Sequence, residues 1–186
     1  MSANPKAVAS AVSQLASGAV IAYPTEAVWG LGCDPYCHQA VLKLLELKQR
    51  PVAKGLILIG SSISQVDFLL ANLPAKLQQT LHCSWPGDTT WLIEDPQNLV
   101  PSWIKGNFSS VAIRISKHAG VKALCDAFGG LVVSTSLNPS GMQPALSEEA
   151  SRRYFAADID CFLSGELGGS PQPSKILNLV DGQVIR

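Results

Sequence analysis

Charge is scarce in this sequence. Asp, Glu, Lys and Arg make up 15% of its 186 residues, against roughly 25% in an average soluble protein. The 14 basic and 14 acidic side chains also cancel. A chain that binds nucleic acid non-specifically carries a large basic excess; zero net charge removes that class in its strong form and leaves RNA contact to a local patch. Long apolar runs are missing too, none approaching the ~20 residues a membrane span needs. The first residues, Met1-Ser2-Ala3-Asn4-Pro5-Lys6, lack the basic region and apolar core of a secretory signal. The expected location is therefore cytoplasmic, with no membrane partner.

Other absences narrow the chemistry. The five cysteines (33, 37, 83, 125 and 161) are odd in number and follow no framework spacing, as free thiols in a reducing compartment do. Cys33, Cys37 and His38 lie close together, but three residues separate the cysteines and no second pair follows. Buried thiols are favoured over a zinc site, and no protein side chain is assigned to a metal. Neither G-x-x-x-x-G-K-[ST] nor G-x-G-x-x-G occurs. His38, His82 and His118 have no partner at catalytic spacing and read as surface or structural residues.

What is present is apolar, alternating and punctuated: 47% of residues are hydrophobic. Asn4-Pro5 predicts a capped helix carried by Val8, Ala11, Val12 and Leu15 and stopped at Gly18. Strands are expected at 19–23, 28–33, 56–59, 89–94, 111–115 and 131–135, with short ones near 159–164, 176–180 and 183–185. Helices are expected at 39–48, 62–72, 74–83 and 118–128 and after Ser147, where Glu148 and Glu149 favour a helix start. Trp85-Pro86-Gly87 is a break. Strands and helices interleaved in this way predict a layered α/β domain, one unit over residues 1–186.

Four segments could carry chemistry. Pro24-Thr25-Glu26 follows a buried strand, where α/β sheets present ligand-binding groups; the Thr25 hydroxyl either meets an anion or closes a turn. Residues 43–54 gather Lys43, Lys48, Arg50 and Lys54 with one anion, Glu46. Lys48 and Arg50, two apart at a helix end, either converge on a phosphate or complement the helix dipole. Ser134-Thr135-Ser136-Leu137-Asn138-Pro139-Ser140-Gly141 packs hydroxyls and an amide behind an apolar strand, a dense set of neutral donors. In Val111-Ala112-Ile113-Arg114-Ile115, alternation puts Arg114 on one face with Ala112 and Ser116, facing either solvent or a cavity. The residues alone describe hydroxyls and cations placed to grip an anion, and do not name the anion.

These segments, in this order, resemble the YrdC/TsaC family of threonylcarbamoyl-adenylate synthases. The similarity runs from Ala22-Tyr23-Pro24-Thr25-Glu26 through Lys48-Gln49-Arg50, Trp85-Pro86-Gly87, Arg114 and the Ser134–Gly141 loop to Pro173-Ser174-Lys175, nearly the whole chain. Its distinguishing pair is a K-x-R element, Lys48 and Arg50, with a later S-x-N element, Ser136 and Asn138. The length is that of the short, single-domain bacterial form. The resemblance implies an α/β fold of α+β layering: a twisted mixed β-sheet flanked by helices, with a deep concave cavity. It implies that threonine, bicarbonate and ATP, with Mg²⁺ accompanying the ATP, become threonylcarbamoyl-AMP and pyrophosphate. Downstream tRNA threonylcarbamoyl transferase proteins would use that product to modify a tRNA adenosine.

By position, Lys48 and Arg50 would be catalytic and hold the ATP phosphates, joined on the nucleotide by Ser110, Ser136, Asn138 and Arg186. Thr25, Arg114, Ser134 and Ser174 would hold threonine. Asp88 after W-P-G, Leu137 and Pro139 around the S-x-N asparagine, and Lys175 depart from the family pattern. Leu137 could narrow the cavity, and Asp88 could repel phosphate if it faces inward, which puts substrate affinity rather than reaction type in question. The competing readings are an RNA maturation factor with weak contact to tRNA or double-stranded RNA and no catalysis, or a carbamoyl-transfer module acting on another acceptor.

Overall fold

Asn4 begins the first helix in the way its side chain allows: Oδ1 accepts the Lys6 amide at 3.0 Å and Pro5 occupies the first turn, where its missing N–H costs nothing. In the computed structural model, which describes residues 4–155 and 157–186, this helix α1 spans Pro5–Ala16 and buries Val8, Ala11 and Leu15. Next come β1 (Ile21–Pro24), β2 (Trp29–Gly32), α2 (His38–Leu47), a 3-10 turn (Val52–Lys54) and β3 (Ile57–Gly60). A second 3-10 turn (Ile63–Val66) runs into α3 (Asp67–Leu70), then α4 (Ala75–Ser84), β4 (Thr89–Glu94), α5 (Ser102–Lys105) and β5 (Ser110–Ile115). The chain continues with α6 (Ala119–Phe128), β6 (Val132–Ser136), α7 (Glu148–Phe155), β7 (Cys161–Phe162) and β8 (Lys175–Asn178).

Among the described residues eight strands join one mixed sheet in the order β7-β1-β2-β6-β3-β5-β4-β8. The pairs β1/β7, β3/β5 and β4/β8 are parallel and the others antiparallel. Period-two alternation divides the core between the sheet's faces. Ala22, Leu58 and Val133 pack with Val41, Leu44 and Leu45 of α2. Their neighbours Ile21, Tyr23, Ile59 and Val132 pack with Val8 and Leu15 of α1 and Val121 and Leu124 of α6. On this second face Ile59 also lines a cleft, which opens beyond the α1–α6 layer.

The expected α/β layering is present, and three local expectations change. The helix expected at 62–72 divides into the 3-10 turn and α3, and the Gln65 side chain within that turn accepts the Ser61 amide (2.8 Å) and donates to Cys125 O (3.2 Å). The strand expected at 183–185 reduces to one antiparallel bridge, Leu177 to Val184. The turn at Val52–Lys54 and helix α5 were not expected; Pro51 and Pro101 precede them with extended backbone. Among the described residues no helix is long and apolar enough to cross a membrane.

Candidate functional site: a cationic cleft

The cleft holds about 470 Å³, and Thr25, Lys48, Arg50, Ser110, Arg114, Ser134, Ser136, Asn138, Ser174 and Arg186 all line it. They arrive from the end of β1, the C-terminus of α2, β5, β6 and the loop after it, and the two ends of the β8 region. The sheet order explains the convergence. β6 lies between β2 and β3, so the Ser134–Asn138 segment runs beside the Thr25 turn on one side and β3–β5 on the other.

Lys48 and the S-x-N loop are in direct contact. The Lys48 ammonium donates to Ser136 O, to Asn138 O at 2.8 Å and, more loosely, to Asn138 Oδ1 at 3.4 Å. The Ser140 amide donates in return to Lys48 O at 3.1 Å. Asn138 folds the loop further, its carboxamide N–H groups reaching Pro139 O (3.0 Å) and Met142 O (2.7 Å). Lys48 is 4% exposed. Burial, and after it the charge of Arg50, lowers its ammonium from 10.5 to about 8.

Arg50 is aimed by the turn that follows it. Its Nε and Nη2 donate to Gly55 O at 3.3 and 3.0 Å, and Nη2 also to Lys54 O at 3.3 Å. Arg186 comes from the opposite wall, with Nη2 on Ser174 O at 3.1 Å. Both guanidinium groups are shifted below their ordinary range, first by burial and then by a neighbouring cation: Arg186 for Arg50, and Arg114 for Arg186. Such mutual repulsion marks a place where an anion would be stabilised. Among the described residues no side-chain carboxylate pairs with Lys48, Arg50, Lys54 or Arg186.

Arg114 faces the cavity rather than solvent, the alternative that strand alternation left open. Its Nε donates to Gly87 O at 3.2 Å, and its Nη2 pairs with the Glu26 carboxylate. Ser116 Oγ donates to Glu26 Oε1 at 2.6 Å and accepts from the His118 amide at 3.0 Å. Burial raises the Glu26 carboxyl; the Arg114 charge and then the Ser116 hydroxyl outweigh it, leaving the group below its ordinary 4.5. Thr25 takes the turn role: its hydroxyl donates to Val28 O at 2.7 Å, and the residue lies on the cleft wall. Ser174 shares a hydrogen bond of 2.8 Å with the fully buried Thr90.

Several expectations are corrected. The 43–54 cationic cluster divides: Lys54 lines the cleft, while Lys43 pairs with Asp160 at 2.7 Å elsewhere. Leu137 does not narrow the cavity. It is fully buried in the core on the opposite face, as alternation between Ser136 and Asn138 requires. Asp88 points out to Lys117 at 3.3 Å and is no threat to a phosphate. Lys105 was missed, and its charge is spent on Asp95 at 2.9 Å. Glu26 was missed as the partner of Arg114. The only sequence signal was a carboxylate next to Thr25, and only the β1–β5 geometry shows what it meets. Among the cysteines, Cys33 is buried with its thiol pushed up by burial; the His38 ring rests 4.5 Å from that of Trp103.

Among the described residues no Asp or Glu side chain lines the cleft and no cluster of His, Cys, Asp and Glu could hold a metal ion. Mg²⁺ keeps waters and favours phosphate oxygens, so in such a cleft it would need a phosphate-bearing ligand to carry it.

Fold and cleft together define a mixed-sheet α/β protein with a small-molecule-sized, cation-rich cleft. The Sua5/YciO/YrdC family model, described as "Telomere recombination", matches residues 13–186. A protein of Marinobacter nauticus named threonylcarbamoyl-AMP synthase is 52% identical over 170 residues, covering 91% of this chain and 90% of that protein. One of the same name from Acinetobacter baumannii is 50% identical over 185 residues, covering 96% and 97%. The crystal structure of P. abyssi Sua5 complexed with L-threonine superposes with a TM-score of 0.90 at 25% identity, covering 98% of this chain and 54% of that longer one. The chain belongs to the Sua5/YciO/YrdC family.

Proposed function

We propose that this protein is a threonylcarbamoyl-AMP synthase, a nucleotidyltransferase that condenses L-threonine, bicarbonate and ATP. The observation that carries this reading is the meeting of K-x-R, S-x-N, Thr25, Arg114, Ser174 and Arg186 on one cleft, in a chain about half identical to proteins of that name along nearly their whole length.

The chemistry suits such a cleft. The threonine amine attacks bicarbonate, forming an N–C bond and releasing water, and gives a carbamate. A carbamate oxygen then bonds to the α-phosphorus of ATP while the α–β bridging bond breaks, and pyrophosphate leaves with the electron pair. Two anions must be brought together and a third stabilised as it departs, so positioning and fixed charge supply most of the rate. Arg50, Arg186 and Lys54, with the Lys48 charge beneath them, would hold the triphosphate, whose own oxygens would carry the Mg²⁺. Ser110, Ser136 and Asn138 would hold the rest of the nucleotide. Arg114, steadied by Glu26, would receive the threonine carboxylate, with Thr25, Ser134 and Ser174 around the amino acid. The adenylate would pass to tRNA threonylcarbamoyl transferase proteins in the cytoplasm. An RNA-binding factor fits less well, because these cations sit inside a cavity of small-molecule size rather than across an open surface.

The test is pyrophosphate release from ATP with Mg²⁺, bicarbonate and single amino acids. Release should require threonine and bicarbonate together, and Arg50→Ala should lower it at least tenfold while remaining folded. Release indifferent to threonine would end this reading.

A further inference from the structure

The K-x-R pair looks like two equivalent phosphate ligands, but the two side chains are used differently. An ammonium has three N–H donors, and Lys48 faces three protein acceptors: Ser136 O, Asn138 O and Asn138 Oδ1. Its own carbonyl accepts from Ser140, so one residue clamps the 136–140 loop by both its side chain and its backbone. Lys48 is almost wholly buried, whereas Arg50 is only partly so and lies between carbonyls of its own turn and the opposing Arg186. Two of the three acceptors are main-chain oxygens, so they persist whatever the loop's side chains do.

We propose that Lys48 is a positioning residue: it fixes the 136–140 loop so that Ser136 and Asn138 are in place for the nucleotide, and it does not itself contact the phosphates. The inference rests on reading the cleft as the ATP site. It divides the two halves of K-x-R. Arg50, together with Arg186, meets the phosphates, and Lys48 builds the wall against which they rest. Burying an ammonium on carbonyl oxygens supplies hydrogen bonds in place of lost hydration and leaves it no free N–H to offer a phosphate.

The test uses the ligand-free protein, then adds α,β-methylene-ATP with Mg²⁺. In ligand-free Lys48→Met the amide NMR shifts of 136–141 should move. Affinity for the analogue should fall at least tenfold, about 1.4 kcal/mol. In turnover, KM for ATP should rise and kcat fall while KM for threonine stays within about twofold; equal losses for both substrates would show general damage and overturn the proposal. In the wild-type protein the Lys48 ammonium ¹⁵N signal should be protected from solvent and unchanged by the analogue. This arm decides the matter should Lys48→Met fail to fold. An ammonium signal that moves on adding the analogue, or a variant that loses affinity with its loop shifts intact, would make Lys48 a direct phosphate ligand. The ligand-free shifts test the clamp even if pyrophosphate release proves independent of threonine, so the two readings fail separately.

Discussion

Glu26 and Arg114 form a buried ion pair whose side chains are 3% and 9% exposed. A pair so placed contributes little net stability against an apolar replacement, yet removing one partner strands the other charge. Glu26→Ala should therefore cost about 3–5 kcal/mol in urea unfolding near neutral pH, and Arg114→Met added to it should recover part of that loss. Because the folded-state Glu26 carboxyl lies below 4.5, its contribution is fully present above that pH and is lost as pH falls through the folded value. The gap between wild type and Glu26→Ala should accordingly narrow in acid. A gap that widened in acid would mean that the charge of Glu26 is not what stabilises the site.

At the scale of elements, the turn after α2 decides where Arg50 points. Gly55 and Gly106 pack backbone against backbone there, both with positive φ (61° and 66°). A Cβ on Gly106 would lie 2.5 Å from Ala53 O and 2.7 Å from Val52 O, main-chain atoms that cannot step aside. The same turn supplies Gly55 O, which holds the Arg50 guanidinium. Gly106→Ala should destabilise the protein by about 1–3 kcal/mol. It should also weaken ATP binding, although residue 106 lies outside the cleft lining. Thermal unfolding and calorimetric titration would check the two halves; a loss of stability with ATP affinity untouched would detach the turn from the site.

Over the whole molecule, a chain of zero net charge concentrates Lys48, Arg50, Lys54 and Arg186 on one concavity, without side-chain carboxylates to pair them among the described residues. Local repulsion of this kind weakens the empty protein and rewards an anion. Mg²⁺-ATP at a hundred times its dissociation constant should raise the unfolding free energy by about 2.7 kcal/mol. Its affinity should decline as sodium chloride screens the charges at the mouth. Denaturation curves at two salt concentrations measure both effects; ATP binding insensitive to salt would contradict an electrostatic site.

The sequence by itself determined the local pieces. Asn4-Pro5 specifies a helix start, Trp85-Pro86-Gly87 a break, and alternation in Val111–Ile115 puts Arg114 on the Ala112 face, because these signals depend only on neighbours and on periods of 2 and 3.6. The ordered motifs also carry the family, and with it the ten cleft residues. Which charge meets which was decided only by the tertiary structure. Lys48 finds carbonyls 88 and 90 residues away, Arg114 finds Glu26, and Leu137 turns inward between two cleft residues. Those contacts follow from β6 inserting between β2 and β3 and from β5 pairing with β3. The relevant side chains are distant in sequence, and no local spacing encodes the separation that the sheet order closes.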